Sequence, residues 1–151
     1  MKRLFLICAF LLFPISTFAQ TTLQEIADQI DDIKQKLVEL KKQAVKEEFL
    51  EKLIWCESQG NSQAINYNDI WINGYPSKGI LQFSPRTFLK KGIEYGLLPH
   101  ELTWKETNIL IWNENLQKEI ARNMLEEPEG WRHWTNCSRK IGTRRLLMAI
   151  L

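Results

Sequence analysis

Cys56-Glu57-Ser58-Gln59-Gly60-Asn61, followed downstream by Ser77-Lys78-Gly79-Ile80-Leu81-Gln82-Phe83 and then Pro85 and Thr87-Phe88, is the stretch from which the rest of the chain can be read. Immediately before it, Phe49, Leu50, Leu53 and Ile54 share one helical face, and counting on from Leu50 by three, one and three reaches Glu57. Glu57 therefore continues an apolar stripe at a helix end, where a carboxylate is costly unless it has a task. Residues 58–79 read as loop, rich in Ser, Asn, Gly and Gln, with Asn73-Gly74 between Ile70-Trp71-Ile72 and Tyr75 as a hairpin signal. Ser84-Pro85 supplies an N-cap and a first-turn proline, so a short helix should run to about Tyr95 and stop at Gly96. Thr103 and Glu106 have capping-box spacing and predict a longer helix through Ile109, Trp112, Leu116, Ile120 and Leu125, ending before Pro128. A closing segment, 130–142, carries Trp131, Trp134 and Cys137.

At the two motifs quoted first, the sequence resembles the lysozyme-like superfamily that includes soluble lytic transglycosylases and goose-type lysozymes. That family's pattern is E-S-x-x-N, then a small residue, G-L-M-Q and a downstream P-x-T. Both motifs occur here in order, with Ile80-Leu81 in place of Leu-Met. The resemblance covers residues 46–142 and implies a mostly helical, lysozyme-like domain with a small β-hairpin. It implies a lytic transglycosylase cutting the β-1,4 linkage between MurNAc and GlcNAc in peptidoglycan glycan strands. Glu57 would be the general acid and base, Ser58 would hydrogen-bond near its carboxyl, and Gln82 would face the sugar beside the cleaved bond. The family's C-terminal tyrosine-asparagine pair is replaced here by Gly130-Trp131-Arg132-His133-Trp134-Thr135-Asn136-Cys137. Trp134 and Asn136 are the candidates for its role, with core packing the rival reading of Trp134.

Chemistry agrees with the resemblance at Glu57. Breaking a glycosidic bond needs a proton delivered to a weakly basic oxygen, and burial beside apolar groups keeps a carboxyl protonated near neutral pH. A hydrolytic lysozyme would need a second carboxylate. Between Glu57 and Gln82 the only acid is Asp69. With no marked partner, the simpler reaction gives 1,6-anhydro ends; hydrolysis by Glu57 with Asp69 is the alternative, and a non-catalytic wall-binding or assembly protein is a third reading. Of six tryptophans, Trp55, Trp104 and Trp112 lie at helical spacing and read as core, whereas Trp71, in the loop, reads as an exposed platform for a sugar ring.

Residues 1–19 have the layout of a secretory signal peptide: Lys2 and Arg3, an apolar run from Leu4 to Phe13, and Thr17-Phe18-Ala19 before the cut. The run is too short for a bilayer span, and Cys8 follows Ile7 within it, which does not suit a lipoprotein. The expected location is secreted or periplasmic, at the cell wall, with no stable membrane anchor once the leader is removed. Cys56 and Cys137 then remain as one pair in an oxidising compartment, and a disulfide between them is the economical reading. In the chain-entropy model such a closure stabilises by roughly 4 to 5 kcal/mol. It would also tie the end of the Glu57 helix to the Trp-rich segment. His100 and His133 belong to no ligand motif, so neither a metal nor a cofactor is expected. The net charge of +2, from 20 basic and 18 acidic residues spread along the chain, offers no basic patch for nucleic acid.

Residues 20–45 form a separate segment. Leu23, Ile26, Ile30, Ile33, Leu37, Leu40 and Ala44 alternate steps of three and four, the a/d seam of a coiled coil. Self-association through residues 21–45, or a helical stalk, is the expectation; Lys34, Lys36 and Lys41 at flanking positions would oppose a parallel homodimer. The end of the sequence, 143–151, is two arginines and an apolar run too short to span a membrane.

Overall fold

The computed structural model describes residues 13–142, with side chains from Thr22 onward. Residues 1–12 of the expected leader and the whole of 143–151 lie outside them. The first element, α1, spans Phe13–Ser58. No Gly or Pro interrupts it after residue 21, and exposed ion pairs one turn apart line its surface: Lys34 with Asp31, Lys36 with Asp32 and Lys52 with Glu48. Two compact units divide the chain, one up to Lys42 and one from Gln43. In the first, the heptad residues Leu23 to Leu40 are exposed.

In the second unit the apolar stripe of α1 becomes the centre of a core. Phe49, Leu50, Leu53 and Ile54 are buried and pack with Ile80, Leu81, Phe83, Phe88, Ile111, Ile120, Met124 and Trp134. The elements that deliver these residues are short. A two-stranded antiparallel ribbon pairs β1 (Ile65–Asn66) with β2 (Ser77–Lys78), Ile65 opposite Lys78 and Asn66 opposite Ser77. Between them come a 3₁₀ turn, Tyr67–Asp69, and α2, Ile70–Asn73. Then follow α3 (Pro85–Glu94), α4 (Trp104–Leu110), α5 (Glu114–Glu126), a second 3₁₀ turn (Gly130–Trp134) and α6 (Thr135–Ile141). The domain is mostly helical with one small ribbon, as the sequence resemblance implies. None of the described helices is long and apolar enough to cross a membrane.

Local signals place most helix starts. Ser84 Oγ accepts from Thr87 N with Pro85 in the first turn of α3, and Thr103 and Glu106 form the reciprocal capping box of α4. Two expectations change. Asn73-Gly74 does not turn a hairpin: Gly74, at φ 75°, ends α2 by donating its N–H to Ile70 O at 2.9 Å. A left-handed glycine suits a helix end as well as a tight turn, so the dipeptide alone could not choose. The long helix expected from Thr103 is in fact two. Asn113 caps α5 by accepting from Leu116 N, and the break frees Ile111 O to accept from the buried Gln117 side chain. The three-four spacing of Ile109, Trp112 and Leu116 survives the break, which hid it from periodicity.

Across the back of the domain, Arg122 grips Glu47 through Nε at 2.6 Å and Nη2 at 3.0 Å, fastening α1 to α5 and holding the Glu47 carboxyl below its usual range. Cys56 and Cys137 form a disulfide with Cα atoms 5.8 Å apart and a sequence separation of 81. Replacing both cysteines by alanine should lower the free energy of unfolding by about 2 to 5 kcal/mol. Urea titration of both forms, followed by circular dichroism, measures the difference; a loss within about 0.5 kcal/mol would leave the bridge without a stabilising role.

Candidate active site

The turn joining β2 to α3 carries the site, and its backbone is held by side chains from three other elements. Gln117, fully buried on α5, donates from Nε2 to Lys78 O at 3.1 Å and to Ile111 O, while its Oε1 accepts from Leu81 N at 2.9 Å. Ser58 Oγ, at the end of α1, lies 2.8 Å from Ile80 O and 3.2 Å from Ile54 O. The Trp134 indole donates to Leu81 O at 2.9 Å. Gly79 sits at φ 79°, and a Cβ there would collide with the Gln117 amide, so this position requires glycine for both conformation and space.

The consequence is a cleft of about 510 Å³ with Glu57 on one wall. Asp69 and Asn73 come from the ribbon loop, Gln82 and Ser84 from the turn, and Arg132, His133 and Asn136 from the C-terminal segment. Of the residues expected from sequence, Glu57, Gln82, Trp134 and Asn136 meet here. Gln82 adopts the left-handed conformation, φ 51°, unusual for a residue with a side chain. Its Nε2 is committed to Ala64 O at 3.1 Å and Gly79 O at 2.7 Å. Both amide protons are therefore used, and Oε1 is the group it can offer a sugar hydroxyl.

Trp134 is buried, edge-on to Phe83 at 5.6 Å, so it is at once a core residue and part of the cleft wall. Ser58 is not on the cleft lining; its hydroxyl is spent on the backbone of the turn beneath it. Trp71 stands 91 % exposed on α2, outside the cleft lining. Trp55, expected in the core, is 69 % exposed instead, because α1 turns that face outward one residue after Ile54. Trp104 is also partly exposed and meets Tyr75 at a tilt, with ring centroids 4.7 Å apart, whereas Trp112 packs against the core. Sequence reasoning missed Gln117, Asn66, Asn73, Arg132 and His133. Gln117 left one trace, a polar residue directly after Leu116 in an otherwise readable amphipathic helix, but its partners are backbone groups that no pattern displays.

A family model, that of the transglycosylase SLT domain, matches residues 36–126, which hold Glu57, the ribbon, the Gln82 turn and both helices of the Gln117 break. The chain belongs to the SLT transglycosylase family. No curated protein and no solved structure matches it. The family lies within the lysozyme-like superfamily and its domain acts on peptidoglycan, in keeping with a periplasmic or secreted setting. In this SLT domain, Asn136 and Cys137 lie beyond the matched span yet line the same cleft as Glu57.

Electrostatics single out one member of the SLT cleft. The Glu57 carboxyl is pushed up to about 7, first by burial and then by the charge of Asp69, with Lys140 opposing. Among the described residues it makes no hydrogen bond or ion pair. An unpaired, half-buried acid of this kind burdens the fold when ionised. Because its pKa is raised on folding, stability is greatest below about 4.5, the unfolded value, and is lost as pH rises through about 7. Glu57→Gln removes the charge at nearly constant shape. The variant should therefore melt close to the parent at pH 4 and increasingly above it as pH rises from about 4.5 to about 7, the gap levelling off beyond that, a divergence that thermal scans at a series of pH values will record. Parallel melting curves across that window would mean that Glu57 is solvated.

Proposed function

We propose that this protein is an exported lytic transglycosylase that cuts the MurNAc to GlcNAc linkage of peptidoglycan, with Glu57 as the group that gives and then takes the proton. The observation that carries this reading is a carboxyl in the cleft whose pKa stands at about 7. Such a group is a usable acid at neutral pH and, once it has given up its proton, a usable base. Supporting it are the Glu-Ser and Gly-Ile-Leu-Gln motifs in order, the family match, and the leader-like residues 1–19.

In the first step protonated Glu57 donates to the bridging oxygen, which leaves as the 4-hydroxyl of GlcNAc while the bond to MurNAc C1 breaks. In the second, the Glu57 carboxylate takes the proton of the MurNAc 6-hydroxyl as that oxygen bonds to C1. The product is a 1,6-anhydro end, the acid is regenerated, and no water is consumed. Attack from within the same sugar exploits proximity in place of a second protein group. Gln82 Oε1 and Asn136 are suited to hold sugar hydroxyls or acetamido groups while this happens.

One observation favours a second reading. Asp69 lines the same cleft, and its charge acts on Glu57. A hydrolase would use such a carboxylate, about 5 to 5.5 Å from the acid as a nucleophile or farther as the base for a water. Between the two we favour the anhydro route, in which Asp69 serves to keep the proton on Glu57.

Three measurements test the proposal. Glu57→Gln should abolish dye release from labelled cell wall, a loss of at least 10² to 10⁴-fold; activity within about tenfold of the parent would remove Glu57 from its role. The proton-bearing form of Glu57 disappears as pH rises, so lysis should fall on the alkaline side with a midpoint near the carboxyl's value of about 7. Mass spectrometry of digested wall should show fragment ends lacking one water. Mainly reducing ends, together with loss of activity in Asp69→Asn, would establish hydrolysis instead.

A further inference from the structure

The heptad part of α1 presents an apolar seam that nothing among the described residues covers. Leu23, Ile26, Ile30, Ile33, Leu37 and Leu40 are between 46 % and 67 % exposed. Six large aliphatic side chains in one continuous row are more than the scattered exposure normal for a surface helix, and such rows mark association. The a/d spacing is the geometry of helix against helix. What kind of helix is decided by the charges beside the seam.

With Leu23, Ile30 and Leu37 at a and Ile26, Ile33 and Leu40 at d, the e positions are Ala27, Lys34 and Lys41 and the g positions are Thr22, Gln29, Lys36 and Gln43. Every charge flanking the seam is a lysine. The acids of this stretch, Glu25, Asp28, Asp31, Asp32 and Glu39, all fall on the outer positions b, c and f. A parallel pair of identical helices would set Lys36 against Lys41 of the other copy, twice. The antiparallel arrangement of full overlap would set Lys34 against its own copy. Both symmetric pairings therefore bring like charges together at the positions that choose partners. Lys34 and Lys36 reach back to Asp31 at 2.9 Å and Asp32 at 2.7 Å, but these are exposed pairs on a single helix and contribute little that a partner must overcome. An anionic membrane suits the segment no better, since an interfacial helix carries basic residues across its polar face and here that face is acidic.

We propose that the seam at Leu23–Leu40 docks a helix of a different protein, one with its own apolar heptad seam and with Asp or Glu at the flanking positions. The lysines then act as selectivity elements: they repel a second copy and attract the acidic partner. The proposal is independent of the reaction assigned to Glu57.

The test uses the purified protein beginning at Gln20 and two synthetic 28-residue helical peptides labelled with fluorescein. Both peptides have Ile at a and Leu at d; one has Glu at every e and g position and the other Lys. Fluorescence anisotropy at low salt should show the Glu peptide binding at least tenfold more tightly than the Lys peptide, with the difference shrinking at 0.5 M salt. In the protein, Lys34→Glu/Lys36→Glu/Lys41→Glu should reverse the preference, and the triple Lys→Gln variant should erase it, each with unchanged cell-wall lysis and helicity. Sedimentation of the protein alone at micromolar concentration should give a monomer. Equal or absent binding of the two peptides, a stable oligomer of the protein by itself, or co-sedimentation with phosphatidylglycerol vesicles would each overturn the proposal.

Discussion

The short turn from Lys78 to Phe83 runs through the centre of the domain, and its backbone polar groups cannot be left unpaired there. An orphaned buried carbonyl or N–H costs about 1 to 3 kcal/mol, so the turn can exist only where other elements bring partners to it. Gln117 supplies a donor for Lys78 O and an acceptor for Leu81 N, Ser58 supplies a donor for Ile80 O, and Trp134 supplies one for Leu81 O. α1, α5 and the C-terminal segment are thus positioned by the same few peptide groups. Once they are in place, Glu57, Gln82 and Asn136 line one cleft.

This arrangement separates two kinds of polar residue that look alike in sequence. Ser58 and Gln117 spend their hydrogen bonds on the scaffold. Gln82 spends only its donors there, and keeps an acceptor for the cleft. Glu57 spends nothing. A carboxyl without protein partners in a half-buried position is a poor element of structure, and the same lack of partners leaves its proton free to move. Burial and the neighbouring Asp69 charge bring its pKa into the neutral range that a single acid-base group needs.

Features written in local chemistry were legible in the sequence. The cap at Ser84, the box at Thr103 and Glu106, and the apolar stripe ending at Glu57 each rest on residues within a turn or two of one another. The Glu57 and Gln82 motifs were readable because their residue types and order are distinctive. What escaped depended on partners distant in the chain. The break between α4 and α5 is favoured by Asn113 and by Gln117 taking up Ile111 O, yet the hydrophobic repeat runs through it undisturbed. Trp55 shared the spacing of the core stripe and still faces outward, since spacing gives the period of a helix and only tertiary packing says which face is covered. Asn73-Gly74 announced a left-handed glycine without saying whether a strand or a helix would precede it.

The bond between Cys56 and Cys137 turns the intervening chain into a covalent ring that contains the ribbon, α2 and the Gln82 turn. α2 is an exposed part of that ring, with Trp71 and Ile72 largely in solvent, and short exposed segments of this kind are where proteases nick a folded protein. A single cut there opens the ring without releasing a fragment. Glu57 and Asn136, each one residue away from a bridged cysteine, would stay tethered to one another. The part of the cleft lining that these two residues supply would thus outlast the first break in the backbone between them.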